Sequence, residues 1–164
     1  MNSEESVVYE RLALLSIPFE RHEHPPTATV DDARQYWARI DATHCKNLFL
    51  RNQKGNRHYL VILEHSKRAD LPSVAAQIGD GKVSFASAAR LATYLGVTPG
   101  SVSPLGLVHD REHHVRVYLD TDLRGVDRIS FHPNVNTVTV TINLADFEVF
   151  LASCHNQVQY IRVA

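Results

Sequence analysis

The sequence predicts an α+β fold: one domain spanning residues 1–164, with helices flanking a mixed, mostly antiparallel, curved sheet. Helix and strand patterns intermix without the regular strand–helix–strand rhythm of a parallel α/β protein. The chain also has no internal repeat and no low-complexity segment. Its length suits one domain that buries about two thirds of its unfolded surface. These observations exclude a repeat array and favour a single core.

The N-terminal third predicts two helices, a short strand and a hairpin. The spacing of apolar residues predicts a helix over 3–16, followed by a strand over 19–24. Thr29 is expected to cap a second helix, since its hydroxyl can accept from an amide of the first turn. Residues 46–52 and 59–63 then form two apolar segments separated by a polar, glycine-containing turn, which predicts an antiparallel hairpin.

Two further helices are predicted in the middle of the chain. A helix over 71–78 has Pro72 in its first turn and Gly79 just after its end, the usual asymmetry of helix termini. The next helix is capped by Ser84 or Ser87 and carries an apolar stripe on one face.

The C-terminal third begins with a segment, 96–110, that holds too many glycines and prolines for a regular element but also carries apolar residues of buried type. The strands and helix expected after it are strands over 115–119, 128–131, 137–142 and 159–163, and a helix capped by Asn143. Over 137–142 threonine alternates with valine and isoleucine, which predicts a strand buried on one face only.

Composition narrows the function classes. Seventeen basic and eighteen acidic residues leave a formal net charge of −1, without the basic excess of proteins that coat nucleic acid. No apolar run approaches the roughly 18 residues that span a bilayer. The N-terminus also lacks the basic and apolar regions of a signal peptide. The expected location is therefore the cytoplasm, with neither a membrane nor DNA as partner.

The spacing of the histidines and cysteines gives little support for a metal site or a catalytic thiol. His22 and His24 would share one face of a strand, but no HxxxH spacing accompanies them, so we expect no metal and no cofactor. Cys45 lies between His44 and Lys46, whose charge would favour a thiolate. Adjacent strand residues point to opposite faces, however, so a small buried side chain is the expected role of Cys45.

Three short segments carry polar groups that packing alone does not require. Lys46 lies in an otherwise apolar strand, where an ammonium is costly unless it reaches solvent or an anion. Gly100 and Pro104 bracket a loop whose backbone amides could converge on an oxygen, as in an oxyanion hole. His132 and Asn136 lie just before the threonine-rich strand. A turn would explain part of this pattern, and a site at the strand's edge would explain all of it.

These segments, "HCKNLFLR", "GSVSPLGLVHD" and "FHPNVNTVTV", resemble in order and separation the YbaK/ProX aminoacyl-tRNA editing family, and within it the freestanding prolyl-tRNA editing branch. The resemblance covers nearly the whole chain. It implies hydrolysis of the ester that joins a wrong amino acid to tRNA, most often alanine on tRNA for proline. It also implies a mixed sheet flanked by helices and no metal.

The resemblance also implies roles for individual residues. Lys46, Ser101, Val102, Ser103, His132 and Gly100 are the expected catalytic residues, and Asn47, Pro104, Val135 and Asn136 the expected substrate-binding residues. The amides of 101–103 would polarise the ester carbonyl, while Lys46 would orient the ester or the terminal nucleotide. His132 and Asn136 would hold the terminal adenosine or the attacking water. The sequence departs from the family pattern at Cys45 and Asn134.

The expected partner is the acceptor end of a mischarged tRNA, with prolyl-tRNA synthetase as a candidate second partner. The general base stays open between a side chain, the substrate's own amine and a ribose hydroxyl. Two other readings also stay open. One is a deacylase for another small residue, such as cysteine on its tRNA. The other is a non-catalytic RNA-binding module with the same fold.

Overall fold

The computed structural model describes residues 3–163, which fold around one eight-stranded mixed sheet. The strands are β1 (Glu20–Glu23), β2 (Thr43–Asn52), β3 (His58–Glu64), β4 (Val83–Phe85), β5 (Arg116–Asp120), β6 (Arg128–Phe131), β7 (Val138–Asn143) and β8 (Val158–Ile161). The helices are α1 (Ser3–Leu14), α2 (Val30–Trp37), α3 (Leu71–Ile78), α4 (Ala88–Leu95) and α5 (Leu144–Cys154). The predicted α+β class is confirmed.

The strand order is β1-β7-β6-β2-β3-β5-β8, and β4 pairs with β2 beside this path. Four pairs are antiparallel, including the predicted β2–β3 hairpin, and three are parallel: β2–β6, β3–β5 and β5–β8. The long strand β2 thus joins the two halves of the sheet. It is antiparallel to β3 along most of its length and parallel to β6 at its start.

The sheet has a hydrophobic cluster on each face. Along β3, Leu60 and Ile62 belong to the larger cluster, while Tyr59, Val61 and Leu63 belong to the smaller one. Successive strand residues point to opposite faces, so β3 is covered on both sides, as its continuously apolar sequence predicts. Helices α1, α4 and α5 contribute to the larger cluster, and α3 contributes Val74 to the smaller one.

Local sequence signals account for several helix ends. Helix α3 spans the predicted residues, with Pro72 in its first turn and Gly79 left-handed at its C-cap (φ 83°). Thr29 caps α2 by accepting from the Asp32 amide at 3.2 Å, and Ser87 caps α4. The predicted cap of α5, Asn143, has the backbone conformation of a cap but makes no side-chain cap hydrogen bond.

Three sequence-based expectations need correction. Ser84 is not a helix cap, because it lies in the short strand β4, which pairs with β2. The sequence did not predict β4, because its three residues are mostly exposed and too few to show a strand pattern. The segment 96–110 contains two 3₁₀ helices, Pro99–Ser101 and Pro104–His109. Strand β7 is buried on both faces, because Thr139 and Thr141 are as inaccessible as Val140.

Over residues 3–163, no helix has the length and apolar character needed to cross a bilayer.

Candidate active site

A cleft with about 130 Å³ of free space opens where β2 and β6 separate. These parallel strands pair only at Thr43–Ile129 and His44–Ser130 and then diverge. The next residues of each strand, including Lys46 and His132, therefore face the gap. Clefts beyond the carboxyl ends of parallel strands are common ligand sites in open sheets. The segments 27–30 and 99–102 complete the walls.

Lys46 brings an unpaired ammonium to this cleft. Its side chain is partly buried and has no hydrogen-bond or ion-pair partner within residues 3–163. Burial lowers the pKa of Lys46, and the nearby Glu64 carboxylate partly opposes that change. An ammonium that has lost solvent without gaining a partner is well suited to bind an incoming anion or carbonyl oxygen.

Asn47 connects β2 to the loop opposite. Its Nδ2 donates to the Val102 carbonyl at 3.2 Å, which ties the loop between Gly100 and Pro104 to the strand that carries Lys46. The Asn47 Oδ1 atom is buried and has no hydrogen-bond partner among the residues that the structure describes. A buried amide oxygen without a donor is costly, so this atom is a candidate acceptor for a substrate N–H or O–H.

His132 is held in one tautomer by its surroundings. The Val138 carbonyl lies 2.8 Å from Nδ1 and can only accept, so Nδ1 carries the proton. The other nitrogen, Nε2, then has a lone pair, and the Thr27 hydroxyl lies 3.4 Å away. Burial lowers the pKa of His132. At neutral pH, His132 therefore offers the cleft a hydrogen-bond acceptor and not a cation.

The segment 99–102 forms one wall of the cleft. A Cβ on Gly100 would lie at ordinary contact distance, 3.4 Å from Asn136 Nδ2 and 3.5 Å from the Ala28 Cα, so this turn packs beside both residues. Val102 also lines the cleft and directly follows the 3₁₀ turn Pro99–Ser101. Gly100 and Val102 are the members of the predicted loop that reach the cleft.

The predicted convergence of three loop amides is not observed. The Ser101 amide donates to the Thr98 carbonyl at 2.9 Å, because this turn is a 3₁₀ helix, so it is not free to stabilise an oxyanion. Ser103 is fully buried, and its hydroxyl accepts from the Leu105 amide at the start of the second 3₁₀ helix. Pro104 begins that helix and does not line the cleft.

The two predicted residues near β7 also lie behind the cleft. Val135 is buried in the larger hydrophobic cluster. Asn136 accepts from both the amide and the hydroxyl of Thr27 through its carbonyl, at 3.1 and 3.2 Å, and its side chain lies against Gly100. Asn136 therefore holds Thr27 and Gly100 in place. Asn134 belongs to the turn before β7, where it adopts a left-handed conformation (φ 64°).

The structure does not support the two alternatives considered from sequence, a cysteine nucleophile and a metal site. Cys45 lines the cleft, but burial raises the pKa of its thiol well above the usual range, which disfavours a thiolate nucleophile. Within residues 3–163, no three His, Cys, Asp or Glu side chains come close enough together to hold a metal ion. His24 instead stacks on Tyr36 and contacts the Thr139 hydroxyl at 2.8 Å.

Several cleft residues were missed by sequence reasoning. They are Thr27, Ala28, Trp37, Ser130 and Thr139. The segment carrying Thr27 and Ala28 has no periodic pattern, and Trp37 resembles an ordinary buried helix residue. Thr139 had a usable signal, because the alternating threonines of β7 form a polar face that needs a polar neighbour or a cavity.

Comparisons with known proteins agree on one family. Residues 24–150 match the family model described as "Aminoacyl-tRNA editing domain". The chain is 34% identical to the prolyl-tRNA editing protein ProX of Acetoanaerobium sticklandii, over 99% of each. It is 33% identical to the prolyl-tRNA synthetase associated domain-containing protein 1 of Bos taurus, over 87% of this chain and 85% of that protein.

The fold also resembles a solved structure of a candidate trans-editing enzyme for prolyl tRNA synthetase. The TM-score is 0.75, with 22% identity, and the match covers 100% of this chain and 99% of that one. At this identity the likeness shows the shared fold.

Proposed function

Because the chain belongs to the aminoacyl-tRNA editing domain family and is a trans-editing aminoacyl-tRNA deacylase, we propose that it hydrolyses alanine from tRNA for proline. The observation that carries the proposal is a small cleft in which the unpaired Lys46 ammonium, the Gly100 turn and the neutral His132 come together. The relatives named for prolyl-tRNA support proline as the cognate amino acid of the tRNA.

The size of the cleft favours a small aminoacyl group. Its free space is about 130 Å³, and its lining includes Ala28, Cys45, Gly100 and Val102. A synthetase pocket built for proline cannot strongly exclude a smaller amino acid, because the lost apolar contact is worth only about 1–3 kcal/mol. A second pocket that admits alanine and rejects proline by size supplies the missing discrimination.

The reaction needs little chemical assistance, since an aminoacyl ester is already activated. Lys46 binds the ester or the terminal phosphate, and the amide of Val102 donates to the carbonyl oxygen as it gains negative charge. His132 Nε2 accepts a hydrogen bond from the attacking water and fixes its position. The water oxygen adds to the carbonyl carbon, the ester bond to the ribose oxygen breaks, and that oxygen takes up a proton.

The unpartnered Asn47 Oδ1 completes the pocket. It accepts from the ammonium of the aminoacyl group, which every amino acid carries next to the ester. Asn47 thus has two roles, because its Nδ2 already holds the loop that supplies Val102. The proposed working location is the cytoplasm, where charged tRNA is used, with prolyl-tRNA synthetase as the proposed protein partner.

A panel of mischarged tRNAs tests the substrate. Pure protein is incubated with alanyl-tRNA for proline, prolyl-tRNA for proline and cysteinyl-tRNA, and release of the amino acid is followed. We expect alanine on tRNA for proline to be released at least tenfold faster than either other amino acid. Preferred release of cysteine would reassign the substrate. No release from any of them would favour the RNA-binding module.

A further inference from the structure

A second, shallower groove adjoins the cleft and shares Lys46 with it. Its lining consists of Lys46, Leu48, Arg68, Ala69, Asp70 and Phe85, and it encloses about 500 Å³. The cleft and the groove meet at Lys46, which lines both. A ligand that fills the cleft and continues past Lys46 would therefore enter the groove.

The groove lies along one face of β2. Lys46, Leu48 and Leu50 alternate on this face, and Leu50 pairs with Phe85 on β4. Directly paired residues point to the same side of a sheet, so Phe85 lies on the same face as Lys46. The four residue steps from Lys46 to Leu50 span about 13 Å of extended strand. The groove is thus an elongated channel that runs from the cleft to an aromatic ring.

Phe85 is unusually exposed for its type. Its relative accessibility is 62%, although its cross-strand partner Leu50 on β2 is fully buried. Among residues 3–163 it is the one strongly exposed phenylalanine. An aromatic face left in water beside a binding cleft is available for stacking against a flat ligand, and every nucleic acid base has such a face.

The charged residues of the groove favour a polyanion. Arg68 is exposed and Lys46 is partly buried, and neither has an ion-pair or hydrogen-bond partner on the described chain. Asp70 is the only acidic lining residue, so the groove carries one net positive charge. Two unpaired cations and an aromatic ring in one channel are what single-stranded nucleic acid sites combine.

We propose that this groove binds the single-stranded nucleotides preceding the terminal adenosine of the tRNA substrate. Phe85 stacks on one of their bases, and Arg68 contacts the phosphate beside it. The assignment rests on the proposed function, because the terminal adenosine must occupy the cleft for the strand to run past Lys46. A second copy of the chain is a poorer occupant, since a symmetric contact would bring two positively charged grooves together.

A substrate–enzyme cycle tests the stacking contact. The substrates are an alanylated acceptor-stem minihelix and the same minihelix with abasic nucleotides before the terminal adenosine. For the unaltered protein, we expect removal of the bases to lower kcat/KM about tenfold, a typical effect for loss of one stacked base. For Phe85→Ala, which has already lost the ring, the same removal should change kcat/KM less than twofold.

Two control proteins accompany the cycle. Leu14→Ala removes another exposed apolar side chain, from α1, and should keep the tenfold effect. Phe85→Tyr retains an aromatic face and should also keep it. If the losses from Phe85→Ala and from the abasic substrate instead multiply, the ring and the bases do not touch and the proposal fails. If the unaltered protein does not hydrolyse the intact minihelix, the proposed function itself fails.

Salt dependence tests the phosphate contact. Arg68→Ala should reduce the slope of log KM against log salt concentration by about 0.7, the value for one phosphate contact on a single strand. Arg111→Ala removes another exposed arginine, one that lines neither the cleft nor the groove, and should leave the slope unchanged. Equal slopes for both variants would remove Arg68 from the site.

A change in oligomeric state with Phe85→Ala, with the base effect retained, would assign the groove to a protein contact.

Discussion

At the scale of single residues, the cleft is defined by groups whose hydrogen-bonding capacity is unfilled. Within residues 3–163, the Lys46 ammonium has no hydrogen-bond or ion-pair partner and the buried Asn47 Oδ1 has no donor. Buried polar groups are normally satisfied, so two unfilled groups beside one small space indicate the place of a polar ligand. Ser101 and Ser103, in contrast, are satisfied internally and hold the loop's shape.

Loss of the Lys46 ammonium should therefore affect activity and not folding. We expect Lys46→Ala to lower kcat/KM for mischarged tRNA at least tenfold, because the contact to the ester or phosphate disappears. Thermal unfolding should change little, because the ammonium has no hydrogen-bond or ion-pair partner within residues 3–163. Lys82→Ala is the matched control, an exposed lysine outside the cleft. Full activity of Lys46→Ala would contradict the assigned role.

At the scale of elements, the cleft depends on how the second 3₁₀ helix packs on α4. Gly106, in that 3₁₀ helix, lies against the last turn of α4, and a Cβ there would be 2.8 Å from the Leu95 carbonyl oxygen and 3.0 Å from its Cβ. Backbone atoms cannot yield as a flexible side chain can. This close approach places the preceding residues, including Gly100 and Val102, opposite β2.

Two glycine-to-alanine substitutions distinguish an effect on core packing from an effect on the active site. We expect Gly106→Ala to lower the free energy of unfolding by about 1–3 kcal/mol, a typical cost of overpacking. Gly100→Ala places its Cβ at ordinary contact distance, 3.4–3.8 Å, and should leave stability nearly unchanged while lowering deacylation. Urea unfolding and kcat/KM measured on the same samples check both results. Equal stability losses would contradict this distinction.

At the scale of the whole molecule, a buried histidine couples stability to pH. His58 is fully buried, with Arg90 Nη1 2.9 Å from Nε2 and His114 Nε2 2.8 Å from Nδ1. Arginine can only donate, so Nε2 of His58 must accept and cannot carry a proton without losing this contact. Burial, followed by the charges of His114 and Arg90, lowers the pKa of His58 from 6.5 to about 4.

The sign of the pH effect follows from this direction. Below pH 6.5 the unfolded chain protonates His58 while the folded chain resists until about pH 4, so the unfolded state binds more protons in this window. The contribution of neutral His58 to the free energy of unfolding is complete above pH 6.5 and is lost as the pH falls to about 4. The loss is at most about 3 kcal/mol. His44 and His132 act in the same direction, because burial also lowers their pKa values.

Urea unfolding at about pH 7 and pH 5 measures this dependence. We expect the free energy of unfolding to be lower at the acidic pH, and His58→Gln, which can still accept from Arg90, to reduce the difference. His109→Gln substitutes an exposed histidine and should retain it. A pH dependence unchanged by His58→Gln would assign the effect to other groups.

The sequence by itself determined the elements whose signals are local. Pro72 and Gly79 delimit α3, the continuous apolar run of β3 shows burial on both faces, and three motifs indicate the editing family. These motifs also predict Lys46, Gly100 and His132 as site residues, and all three line the cleft. Propensity, capping and alternation act between residues close in the chain, so a linear pattern records them.

Only the tertiary structure decided which polar groups share the cleft. The parallel pairing of β2 with β6 brings Lys46 beside His132, and the contacts of Asn136 place Thr27 there. The tertiary structure also decided that the Ser101 amide donates to Thr98 and that the threonine face of β7 is buried. It likewise decided that β4 pairs with β2. These outcomes depend on contacts between residues distant in sequence. No local pattern records such contacts, because each segment is compatible with several partners until the whole core packs.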